Sequence, residues 1–118
     1  MGVPFVQGAT AEAVLYGAGY ASAQDRLFQI EFLRRTANGS LAELLGPSVL
    51  EMDKEARIDG FTDSEMRAQI DALPEEHKKL FKAMVKGANA YIAKAIEEPK
   101  VYMPLEFEKY GISLKPIT

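Results

Sequence analysis

Nucleophilic or metal chemistry needs a nucleophile beside a base, or several ligands at matched spacing. The 118-residue chain offers few candidates for either. His77 is the only histidine and there is no cysteine. It lies between Glu76 and Lys78 on the polar side of a helical pattern, which reads as a surface histidine rather than a ligand. The serines are Ser22, Ser40, Ser48, Ser64 and Ser113, and none has a base at a recognisable spacing. Glu51, Asp53 and Glu55 alternate as an oxygen-rich trio, but the glycine and the distant glutamate of a calcium loop are missing, so they read as helix-surface acids. No phosphate loop, Gly-x-Ser-x-Gly elbow or zinc motif is present. On these grounds the chain carries no catalytic residue, cofactor site or metal site of its own.

Charge is instead concentrated in the run Gly19 to Arg35, where Gln24, Asp25, Arg26, Glu31, Arg34 and Arg35 stand among large apolar residues. Helical spacing puts Tyr20, Ala23, Leu27 and Ile30 on one stripe and Phe28 and Phe32 on the next. So wide an apolar arc implies packing on more than one side, with some of the charges held among other groups and paired. Glu31 and Arg35 are four apart, as are Asp53 and Arg57, and each pair can close along a helix for about 0.3–0.5 kcal/mol if exposed. The run reads as a structural joint.

The elements that position this joint are mostly helical. Val3 to Gln7 is a short extended piece expected to be a strand. Thr10 is an N-cap with Glu12 in the first turn, and the helical pattern then runs towards Arg35 and ends at Asn38-Gly39. Gly17 and Gly19 each weaken it by roughly 1 kcal/mol and mark a kink or a close helix contact. Ser40-Leu41-Ala42-Glu43 and Thr62-Asp63-Ser64-Glu65 are capping-box patterns, and Pro47 suits a first turn. From Pro74 the cleanest helix carries Leu80, Phe81, Met84, Val85, Ala88, Tyr91, Ile92, Ala95 and Ile96 on its core face. Its lysines, interleaved with no aromatic residues and flanked by glutamates, form a solvated face. The tail from Pro99 to Thr118 reads as loop and turn. The fold class is mainly α, one helical domain over 1–118 with a short N-terminal strand.

Composition narrows the classes. Apolar residues make up 47% and charged residues 26%, and no apolar run reaches membrane-span length. A net charge of −3 gives no basic field for nucleic acid.

The combination Gly19-Tyr20, Ala23-Gln24-Asp25-Arg26-Leu27-Phe28-Gln29, Glu31, Arg34-Arg35, Gly39, Leu41-Ala42-Glu43, Gly46, Asp53 and Arg57 resembles the N-terminal part of the α subunit of the penicillin acylase family. Val3-Pro4, Gly87-Ala88-Asn89-Ala90-Tyr91 and Pro104 to Phe107 extend the resemblance over nearly the whole chain. Phe5 departs from the family's histidine after the proline, and Ile30 from its usual methionine.

The resemblance implies an N-terminal nucleophile hydrolase in which an autoproteolysed precursor yields α and β chains. The catalytic serine then opens the β chain, and the whole is an α+β assembly. It implies that this chain, beginning Met1-Gly2, is a non-catalytic portion of the α subunit. Its partners would be the β subunit and the remaining α subunit, with a small acyl amide as substrate: a β-lactam side chain, an acyl homoserine lactone or similar. It also implies calcium in some complete enzymes, and a periplasmic or secreted precursor whose signal peptide lies outside this chain. Tyr20, Gln24, Asp25, Arg26, Phe28, Glu31, Arg34, Arg35, Asp53 and Arg57 are then structural or subunit-interface residues. The alternative is a stand-alone helical interaction module without enzymatic activity.

Overall fold

A computed structural model describes residues 2–118, so Met1, the first residue of the Met1-Gly2 start, lies outside the described residues. The described residues form seven α-helices and no strand: α1 Ala11–Asn38, α2 Ala42–Leu45, α3 Leu50–Asp59, α4 Asp63–Asp71, α5 Glu75–Glu97, α6 Pro99–Tyr102 and α7 Leu105–Lys109. A 3₁₀ turn at Pro47–Val49 separates α2 from α3, with the proline at its start.

The body of the domain is α1 against α5. Tyr16 lies opposite Gly87, and Tyr20 opposite Tyr91 and Lys94, so the two long helices run in the same direction. A parallel pair cannot be joined by a tight turn, and residues 39–74 carry the chain back along the roughly 42 Å of α1. The crossing is close because both helices present glycine. A Cβ on Gly19 would strike the Met84 carbonyl oxygen, and one on Gly87 the Tyr16 carbonyl oxygen. Gly19 therefore marks a close helix contact, while Gly17 leaves room for Val6 of the N-terminal segment. The break in α1 falls elsewhere, at Arg26 (φ −138, ψ 33), with no glycine or proline beside it. It divides the half of α1 that rests on α5 from the half whose Phe28 rests on Phe107 of α7.

The core contains Ala23, Leu27, Ala88, Tyr91, Ile92, Ala95 and Phe107, sealed on one side by Ile112, Leu114 and Ile117 of the tail. The core face of α5 is narrower than its apolar pattern suggests. Phe81, Met84 and Ile96 stay largely exposed, whereas the small residues Ala83 and Gly87 are buried against α1.

Several local signals act as read. Thr10 caps α1 by accepting from the Ala13 amide at 3.1 Å, and Gly39 ends it in the left-handed region at φ 63. Thr62 and Glu65 complete both halves of a capping box on α4. Three readings are corrected. Val3 to Gln7 is extended but is no strand, and Val3 and Phe5 are almost fully exposed, since a strand exists only when a second strand takes its backbone groups. Ser40 forms no capping box with Glu43, as α2 has no side-chain cap from its own sequence. The tail holds two short helices, α6 and α7, each started directly after or at a proline.

The chain as a whole is stretched. Its radius of gyration is 15.9 Å, against about 13.5 Å for a compact chain of this length. The excess is in keeping with α4, of which no residue is buried.

Candidate assembly site

The charges of α1 sort into two groups on either side of the Arg26 break. On the C-terminal side, Glu31 is buried and answered twice: Arg34 Nη2 reaches Oε2 at 2.6 Å and Arg35 Nε reaches Oε1 at 2.8 Å. Arg35 also extends Nη1 to Glu43 Oε2 at 2.9 Å, tying α1 to α2. The local Glu31–Arg35 pair is thus one edge of a four-residue network. With both carboxylate oxygens occupied, Glu31 is compensated in its buried position, the condition under which such a charge is tolerated.

At the break itself the pattern reverses. Gln24, Asp25 and Arg26 are exposed, and no side-chain hydrogen bond or ion pair engages them among the described residues. The expectation that the charges of this run are held among other groups therefore applies to Glu31, Arg34 and Arg35, and not to Asp25 or Arg26. A shallow depression beside them is lined by Asp25, Arg26, Phe28, Gln29, Pro104 and Glu106.

Asp53 and Arg57 do not pair with each other among the described residues. Asp53 is buried on α3 and spends both oxygens on α2, accepting from the Leu41 amide at 2.9 Å and the Ala42 amide at 2.7 Å. It is the cap that the local sequence of α2 lacks, supplied from eleven residues away, and it corrects the reading of Asp53 as a surface acid. Arg57 Nε donates to the Gly39 carbonyl at 2.7 Å. A Cβ at Gly39 would strike the Asp53 carbonyl oxygen, so glycine is required there for space as well as for its positive φ. Together these contacts hold the turn from α1 into α2 against α3.

The acidic trio does not fit a calcium ion. Asp53 is committed to backbone amides, Glu51 pairs with Lys54 at 2.6 Å, and no group of three potential ligands converges among the described residues. His77 is exposed.

Aromatic contacts fix the other face of the joint. Tyr20 meets Tyr91 edge to face at 5.5 Å, and Tyr91 Oη donates to the Tyr102 carbonyl at 2.9 Å. Lys94 Nζ donates to Tyr20 Oη at 3.2 Å and lies 5.1 Å from the centre of the Tyr102 ring. The hydrogen bond to Tyr20 holds the Lys94 ammonium above its ordinary 10.5. Burial, with Tyr20 and Tyr102 adding to it, pushes the Tyr91 hydroxyl above 10.0. Phe28 stacks on Tyr110 at 5.8 Å and meets Phe107 edge-on at 5.9 Å.

One residue outside the predicted set matters as much. Asn89 holds the tail, its Nδ2 donating to the Ile117 carbonyl at 2.8 Å and its Oδ1 accepting from the Ile117 amide at 2.7 Å. A lone asparagine among the apolar positions of an otherwise regular helix was the available signal.

Chemically, the arrangement joins helices and presents unpaired charge; it brings no nucleophile to a base. A family profile, penicillin amidase, matches residues 1–118. The chain belongs to the penicillin amidase family. This family member is 37% identical over 114 residues to penicillin G acylase of Escherichia coli, covering 97% of the chain and 13% of that protein. It is likewise 37% identical over 116 residues to the penicillin acylase 2 proenzyme of Pseudomonas sp. strain SE83, covering 98% of the chain and 14% of the proenzyme. The acyl-homoserine lactone acylase QuiP of Pseudomonas putida is 34% identical over 92 residues, covering 78% of the chain and 11% of its own length. Among solved structures, a thermostable penicillin G acylase from Alcaligenes faecalis superposes with a TM-score of 0.86 at 33% identity, over 98% of this chain and 60% of that one. The penicillin amidase family member thus spans a small fraction of its acylase relatives and keeps the same helical architecture. Among its described residues, no helix is long and apolar enough to cross a membrane.

Proposed function

We propose that this chain is a non-catalytic portion of the α subunit of an acyl-amide hydrolase, supporting a companion chain whose N-terminal serine does the chemistry. The match of the family over the full length, by a chain that spans 13% of the Escherichia coli acylase, is the observation that carries this reading. In the assembled enzyme the serine Oγ of the companion attacks the amide carbonyl while its own α-amine takes the proton. That proton passes to the departing amine, leaving an acyl ester on the serine. Water then attacks the ester, the α-amine again taking and returning a proton, and the carboxylic acid leaves as the serine is restored. Fixed hydrogen-bond donors hold the oxyanion in both steps.

This chain contributes position rather than atoms of the reaction. Its Glu31 network and Asp53 clamp fix the joint, and Gln24, Asp25 and Arg26 face outward for partner groups. The substrate class is an acyl amide of the kind named for its relatives, a penicillin or an acyl homoserine lactone, and the compartment is the periplasm or exterior. The test compares the chain alone with the complete acylase that contains it, using phenylacetyl and long-chain acyl amides. The chain alone gives no turnover, and replacing the companion's N-terminal serine abolishes the activity of the complete enzyme. Turnover by the isolated chain that is lost on mutation within residues 2–118 would overturn the reading.

A further inference from the structure

Helix α4 is specified by its own sequence and then left without a place to pack. Both halves of its capping box are formed, with the Glu65 carboxylate accepting from the Thr62 amide at 2.7 Å and the Thr62 hydroxyl accepting from the Glu65 amide at 3.3 Å. Met66, Ile70 and Leu73 recur at helical spacing along one stripe, and Phe61 stands at the position from which a hydrophobic staple reaches Met66. Yet Phe61 is 65% exposed, Met66 47% and Ile70 48%. An amphipathic helix gains most of its stability by burying that stripe, so the sequence is written for a contact that these residues do not make within the domain.

We propose that the apolar stripe of α4 is a docking surface for the companion acylase polypeptide, which closes over Phe61, Met66 and Ile70 on assembly. This deepens the proposed function and rests on it. Two observations favour that occupant. The chain spans 13% of the length of the Escherichia coli acylase it matches, so a whole enzyme of that size has ample polypeptide to cover the stripe. The backbone superposes at a TM-score of 0.86 over 98% of its length on a chain of a penicillin G acylase, so the protruding architecture is the one such an enzyme uses. A second copy fits less well. A nine-residue helix is about 14 Å long and 10 Å across. Its stripe is too small for the roughly 800 Å² per partner of a stable dimer, though adequate as one patch of a larger interface.

The test uses the complete acylase containing this chain, with Ile70→Asp and Met66→Asp on the stripe and Ala68→Asp on the opposite side of the same helix. The first two lower the yield of assembled enzyme roughly tenfold or more, and Ala68→Asp changes it by less than about twofold. Because Met66 and Ile70 are exposed in this domain, the circular dichroism of the isolated chain stays unchanged in all three. Hydrogen exchange provides a second readout that needs no variant: the α4 amides are protected in the assembled enzyme and exchange fast in the isolated chain. Assembly unaffected by Ile70→Asp, equal exchange in both states, or a concentration-dependent dimer of the isolated chain abolished by Ile70→Asp would each overturn the docking proposal while leaving the proposed function standing. Failure of wild type and variants alike to assemble with any companion would remove both.

Discussion

The α1–α5 body and the α3–α4 arm are built from the same material, amphipathic helices with good caps, and reach opposite outcomes. In the body, Gly19 and Gly87 let two backbones approach until only hydrogen fits between a helix and its neighbour's carbonyl, and Ala23, Leu27, Ile92 and Ala95 become fully or nearly fully buried. In the arm, α3 is held to the rest by polar clamps, Asp53 to two amides and Arg57 to one carbonyl, and α4 buries nothing. The difference teaches that amphipathic pattern states a demand for a partner, whereas small residues at a crossing show where the partner is. Where both occur the contact is within the chain. Where only the pattern occurs, as on α4, the partner is to be sought outside it.

The largest effect should come from attacking the close crossing. Gly87→Val puts a branched side chain into the Tyr16 carbonyl, and no rotamer avoids it because the clash begins at Cβ. A loss of about 3 kcal/mol or more is expected, a large share of the 5–15 kcal/mol typical of a domain, read as a fall in the urea midpoint. The same change at exposed Ile70 should leave the midpoint nearly unmoved, and equal losses at the two sites would erase the distinction.

Asp53→Ala comes next. It strands two amides at the start of α2, one of them buried, for an expected cost of about 2–3 kcal/mol. Asp53→Asn keeps one acceptor and should cost roughly half as much. Equal effects of the two variants in chemical denaturation would show that the carboxylate's shape, and not its pair of acceptors, holds the turn.

Smaller still, the two regions should respond to opposite ends of the pH scale. Tyr91 and Lys94 both have folded values raised above their ordinary 10.0 and 10.5. A raised value means the folded state keeps its proton longer, so this contribution to the body is complete below about pH 10 and is lost as pH climbs through the folded values. Glu65 has its value lowered below 4.5, first by the hydrogen bond from the Thr62 backbone and then by that from its hydroxyl. Its contribution to α4 is present above 4.5 and fades as pH falls through the folded value. Residue-resolved NMR should show the Thr62–Asp71 amides fraying first in acid while the Tyr91 neighbourhood loosens first in base. The reverse order would contradict the assignment.

Much of this contrast was legible before the fold. Thr10, Gly39, Thr62 with Glu65, and Pro74 act through neighbours within four residues, and such signals survive in a linear reading. The features that escaped depend on distance. Asp53 replaces the apparent Ser40 box from another helix, Asn89 takes its partner from 28 residues on, and the break in α1 falls at Arg26 rather than at the glycines. The glycines themselves admitted two readings, kink or contact, and only the position of α5 decides between them. The resemblance of the Gly19–Arg35 run reached further than its physics. It identified the family, while the same residues gave no local hint that Glu31 would be paired and Asp25 and Arg26 left free.

That division supplies the most direct test of the central claim, that the outward charges of this joint serve assembly and not the reaction. Asp25→Ala and Arg26→Ala are introduced into the complete acylase. The yield of assembled enzyme is measured beside kcat and KM of the fraction that does assemble. The account predicts a clear loss of assembled enzyme, with kcat and KM of the remainder unchanged. Full assembly accompanied by lost turnover would contradict it and place the joint in the active site.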